Sequence, residues 1–107
     1  MSGNITCAGS PDWWIASSGT YYWVLGYLAS AVSDEAVAEQ FRASVTHGFR
    51  TIDLGDLTEA QRREVLALIR GPLVPAVAAR FPGPGGEAVR TFVGELEKVA
   101  KSWARPR

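Results

Sequence analysis

The chain has 107 residues, 47% of them hydrophobic and 21% charged, with eleven bases balancing eleven acids. That length fits one domain spanning residues 1–107 around one core, and the composition excludes wholesale disorder. Cys7 is the only cysteine, which excludes an intrachain disulfide framework and fits a reducing, cytoplasmic setting.

The N-terminal segment "MSGNITCAGSPD" lacks a basic residue ahead of an apolar stretch, so it does not read as a secretory signal. Residues 4–8, "NITCA", predict a short strand that ends at the turn-rich cluster "GSPD". "WWIA" at 13–16 predicts a second strand, and the two together a hairpin. From Trp13 to Ser33 there are 21 residues without a charge, holding six of the eleven aromatic side chains. That is the length of a membrane span. "SSGT" interrupts it, with Ser18 or Thr20 as N-cap of a helix of about 13 residues, too short to cross a bilayer. On that helix Tyr21, Val24, Leu25, Leu28 and Val32 share a stripe, which predicts the core face. The opposite side carries Trp23 and Tyr27, four residues apart and therefore neighbours, and no charge at all.

Ser33 is the expected cap of a second helix, "DEAVAEQFRASVTH", with Asp34 and Glu35 favoured in its first turn. Val37, Phe41 and Val45 form its expected inward line, and Gly48 its left-handed stop. "FRTIDL" at 49–54 predicts a third strand able to join the hairpin. "TEAQ" at 58–61 is a capping box opening a helix that runs to about Arg70, before Gly71 and Pro72. "LVPAVAARF" predicts a short fourth helix with Pro75 in its first turn, and "PGPGG" at 82–86 a linker. Over 87–103, Val89, Phe92, Val93, Leu96, Val99, Ala100 and Trp103 recur at helical spacing for four turns. The expected fold is therefore α+β, with four to five helices and a small two- or three-stranded sheet; an all-α domain is the alternative.

Few residues point to chemistry. The sequence holds no dinucleotide fingerprint, phosphate-binding loop or nucleophile elbow, and no cofactor is expected. With one histidine and one cysteine, a zinc site of several such ligands is excluded within one chain. His47 can serve as a lone base oriented by Asp53 or Asp56, or simply as a partner of the helix C-terminus. Asp53, Asp56 and Glu59 offer oxygen ligands at a strand–helix junction, but turn and helix-start preferences are the favoured account, and no metal is expected. Cys7 beside Ala8 reads as a small buried hydrophobe. The bases Arg62, Arg63, Arg70, Arg80, Arg90, Lys98, Lys101, Arg105 and Arg107 are spread over several helices and mixed with acids, which disfavours nucleic-acid binding. Residues 1–59 carry seven acids and two bases, and residues 60–107 nine bases and four acids. Folding of one half onto the other is the ordinary account of such asymmetry.

What remains are the aromatics. Trp and Tyr are enriched at binding hot spots, so the candidate partner-binding set is Trp13, Trp14, Tyr22, Trp23 and Tyr27, with Asp53 and Asp56 supplying acidity; a domain of this size also needs several such rings inside, and the core is the favoured place for them. Strand alternation sends Trp13 and Trp14 to opposite faces, so one of them is the best candidate for an exposed aromatic. The expected function is non-enzymatic protein binding, most concretely a bacterial toxin-neutralising immunity or antitoxin protein whose acidic half meets a basic toxin. Arginine-rich usage fits a GC-rich bacterial genome. A homo-oligomer packed through Trp23 and Tyr27 is one alternative. A small-molecule binder or minor enzyme using His47, Asp53 or Tyr22 is the other.

Overall fold

The hairpin forms because alternating residues of two short strands have one apolar face to bury. In the computed structural model, which describes residues 2–7 and 10–104, β1 is Ser2–Thr6 and β2 is Trp13–Ser17. They pair antiparallel, with Ile5 opposite Trp14 and Gly3 opposite Ala16. A third strand, β3 (Thr51–Asp53), adds parallel to the other side of β1, giving the order β2-β1-β3. β1 starts two residues earlier than the sequence predicts. Gly3 is the reason: a Cβ there would lie 2.3 Å from ring atoms of Tyr21, so only glycine lets that ring press against the strand. Ala8 and Gly9, expected at the strand end and turn, lie outside the described residues, as do Arg105 and Arg107 of the basic set.

Five helices account for most of the rest: α1 (Ser18–Ala31), α2 (Glu35–His47), α3 (Glu59–Arg70), α4 (Leu73–Arg80) and α5 (Glu87–Trp103). The fold is α+β, with these helices packed against the small three-stranded sheet. α1 begins at Ser18, ahead of the start that a cap at Ser18 or Thr20 predicts, because β2 passes into it without a loop. Ser17 sits at its N-cap, yet its hydroxyl donates to Thr20 Oγ1 at 3.1 Å instead of accepting from the helix. "SSGT" is thus mostly the first turn of α1, not a break before it. At 14 residues α1 spans about 21 Å, and among the described residues no helix is long and apolar enough to cross a membrane.

Asp34, not Ser33, caps α2, accepting from the amides of Ala36 and Val37; the Ser33 amide donates to the Glu64 carboxylate. Asp34 also accepts from Gln61 Nε2 at 2.9 Å, so one carboxylate ties the start of α2 to the first turn of α3. These bonds, Gln61's first, hold the Asp34 carboxyl below its ordinary range. Val37 and Phe41 face inward, but Val45 does not: it is 40% exposed, and buried Ser44 takes its place. Helical periodicity alone would place 45 on this face as readily as 44, so what packs against the last turns of α2 decides between them. Gly48 ends the helix in the left-handed region, at φ 70°. Thr58 and Gln61 form the capping box of α3, and Pro75 lies in the first turn of α4.

"PGPGG" is more than a linker. Pro84–Gly86 form a 3-10 turn with Gly86 buried, and Arg90 donates to the carbonyls of Phe81 and Gly83. α5 spans the predicted 87–103 and runs under β2. Trp14 Nε1 donates to the Phe92 carbonyl at 2.7 Å, and Trp103 Nε1 to the Asp12 carbonyl at 3.1 Å. Each indole buries its ring while its N–H finds a partner. The core lies between the sheet, α1 and α5, with Ile5, Trp14, Val24, Leu25, Leu28, Phe41, Leu54 and Leu96 fully buried. The halves meet through such apolar packing and through hydrogen bonds to carboxylates: Ser33 to Glu64, Gln61 to Asp34 and Ser102 to Asp12. The ion pairs of Arg42 (with Glu35 and Glu39) and Arg63 (with Glu59) each join neighbours on one helix.

Candidate binding surface

The register fixes what the sheet turns outward. One row across the strands is Trp13, Thr6 and Asp53; the next is Ile15, Asn4 and Thr51. Gly3, Ile5, Trp14 and Ala16 point to the opposite face and are buried. The outer rows stay open: Trp13 is 57% exposed and Ile15 48%. Between them and Thr51, the Asn4 side-chain carbonyl is shielded from solvent without a hydrogen-bond partner among the described residues.

At the β3 edge this face continues into a groove of about 260 Å³ between α2 and the strand. Its apolar lining comes from Phe41, Phe49, Ile52 and Leu57, and Asp53 and Asp56 make it acidic. Phe49, at 56% exposure, stands at the rim with the His47 ring 5.7 Å away. Asp53 is held in place by accepting the Gly55 amide at 2.8 Å, which caps the 3-10 turn Leu54–Asp56.

Of the seven residues predicted to bind a partner, three lie on this surface: Trp13, Asp53 and Asp56. Trp14 does not, at 2% exposure with its N–H already bonded, and it belongs to the core. Tyr22 is half-buried, edge-on to Tyr21 at 5.1 Å, with its hydroxyl near Gly48. Trp23 and Tyr27 stack at 5.8 Å, and Phe81 from the end of α4 meets Trp23 edge-on at 5.4 Å. That face of α1 is therefore partly covered from within the chain: Trp23 and Tyr27 are half-buried, while Gly26 and Ser30 beside them are exposed. Ile15 and Phe49 were not expected at a surface site. Alternation from Trp13 could have found Ile15; nothing in the local pattern distinguishes Phe49.

The His47 ring lies against Phe49, and Glu59 is engaged with Arg63. Among the described residues no group of three or more His, Cys, Asp or Glu is placed to hold a metal ion. Cys7 is buried. Compared with protein-family models, curated proteins and solved structures, the chain matches none of them.

Proposed function

We propose that this chain is a protein-binding domain that receives its partner on the open sheet face and the adjoining acidic groove. The observation that carries the reading is the exposure of Trp13, Ile15 and Phe49 on a molecule whose other aromatic rings are buried or half-buried. Large rigid side chains at a surface are the residue types that dominate binding energy. Asp53 and Asp56 beside them favour a basic partner and speed its approach. In its most concrete form the domain is an immunity or antitoxin-type protein that caps a basic toxin.

The test is affinity for the product of the neighbouring gene, measured by calorimetry with the wild type and with Trp13→Ala, Phe49→Ala and Asp56→Asn. Loss of about tenfold or more for each aromatic variant, with an unchanged circular dichroism spectrum, is the expected result. Affinities equal to wild type would remove this surface from the reading.

The same groove gives a second reading some support, since its apolar lining and two carboxylates resemble a site for a small cationic ligand. At about 260 Å³ it falls just below the usual range for such sites, roughly 300–1,000 Å³. Of the polar groups expected to serve a small molecule, only Asp53 lines it.

A further inference from the structure

β2 is one edge of the sheet, and the hydrogen-bond phase fixes what that edge offers. The Asn4 amide donates to the Arg50 carbonyl at 2.7 Å, so the backbone of Asn4 faces the β3 side. Strand alternation then turns Gly3 and Ile5 towards β2, where they exchange bonds with Ala16 and Trp14. The N–H and C=O groups of Trp13 and Ile15 must consequently point away from β1. Among the described residues nothing else bonds to them. Edge strands are normally blunted by lysine, proline or a bulge. "WWIAS" has neither a charge nor a proline.

We propose that β2 pairs antiparallel with β2 of a second copy, across a two-fold axis through Ile15. This pairing sets Ile15 against Ile15 and Trp13 against Ser17, using the outward-pointing groups of one strand to satisfy those of the other. It also brings Asp12 beside Ser18 of the second copy, the first residue of α1. That helix end needs an acid. α1 has no side-chain cap hydrogen bond and no acidic residue in its first turn, so no charge on the helix itself compensates the positive pole of its 14 residues. Asp12 is exposed, and one of its oxygens accepts from Ser102 Oγ at 2.6 Å, which holds the carboxylate at the strand end. By symmetry the charge match is made twice. The product is a six-stranded sheet with Trp13 and Ile15 of both copies side by side on its outer face.

Sedimentation of the full chain over a concentration series reaching ~100 µM tests the pairing. The expected species at the top of the series has twice the 11.5 kDa mass of the chain. Ile15→Lys, which sets two ammonium groups against each other on the axis, should leave a monomer with an unchanged circular dichroism spectrum. Asp12→Asn should weaken the dimer about tenfold, while Ser102→Ala, which keeps the carboxylate, should not. Hydrogen exchange on the wild type needs no variant: the Trp13 and Ile15 amides should gain protection only as concentration rises. A wild type that stays monomeric throughout overturns the proposal, as does a dimer in which those two amides exchange at a concentration-independent rate. Failure here would leave the affinity test on the outer face untouched, since pairing uses the strand edge and not that face.

Discussion

The inner and outer faces of the sheet share one backbone and one set of ladder bonds, yet they follow different rules. On the inner face Gly3, Ile5, Trp14 and Ala16 are all buried, and α1 and α5 pack against them. On the outer face Ser2, Trp13, Ile15, Ser17 and Thr51 are exposed. The neighbours Trp13 and Trp14 divide between the two, at 57% and 2% exposure. Identical chemistry one residue apart therefore serves packing in one case and contact with something else in the other. Single exposed apolar residues are ordinary; Trp13 and Ile15 in adjacent rows of one open face are a patch, and patches mark interaction sites.

The largest effect expected from breaking this contrast is at Trp14. Trp14→Ala removes a fully buried indole and leaves the Phe92 carbonyl without its donor, and should cost about 3–5 kcal/mol by urea denaturation. The same change at Trp13 should cost no more than about 0.5 kcal/mol. Equal costs would mean that the two faces are not different in kind.

Next in size is Gly3→Ala. The added methyl meets the Tyr21 ring at 2.3 Å, and strand and helix must separate, at about 1–3 kcal/mol. Ser2→Ala, next door on the outer face, should be near neutral. Because the clash is with one ring, Gly3→Ala and Tyr21→Ala should be markedly non-additive in a double-mutant cycle.

These positions also mark where local pattern suffices and where it does not. α5 is legible to its ends because its apolar spacing holds over four turns, and α3 because Thr58 and Gln61 carry their own capping geometry. The alternation that separates Trp13 from Trp14 is equally local. Which of the pair faces out depends on where α1 and α5 lie, and that is a tertiary fact. The early start of β1 has the same origin, since Gly3 has poor strand propensity and belongs in the strand because of Tyr21. How far Trp23 and Tyr27 are covered depends in the same way on Phe81, far along the chain, which packs edge-on to Trp23. Within the site, Asp53 and Asp56 were legible as polar residues at a turn. Phe49 was not, because exposure of an apolar ring is decided by what fails to cover it.

Tyr21 gives a smaller effect with an informative sign. Its ring is fully buried and its hydroxyl has no hydrogen-bond partner among the described residues. Tyr21→Phe removes a desolvated polar group without opening a cavity, so stability at neutral pH should be unchanged or rise by about 1 kcal/mol. Burial, and then the neighbouring Tyr22, push the phenol up to about 12 from 10.0. The fold thus favours the neutral phenol. Its contribution is intact below pH 10 and is lost as pH climbs from the unfolded value towards the folded one. An alkaline titration of the urea midpoint should fall through that window in the wild type and fall less in Tyr21→Phe.

The smallest effect on stability is expected where the consequence for recognition is greatest. Trp13→Phe and Ile15→Thr change only the outer rows, and their unfolding free energies in urea should match wild type to within about 0.5 kcal/mol. Of the chain's four tryptophans, Trp14 and Trp103 are buried and Trp23 is half-covered, so Trp13 should supply most of the fluorescence that iodide quenches. Trp13→Phe should therefore remove most of the quenchable signal while leaving the unfolding curve in place. A residue kept for packing would lose both together. If quenching persists in Trp13→Phe, another indole is open to solvent, and the division between covered and open aromatics has to be redrawn around Trp23.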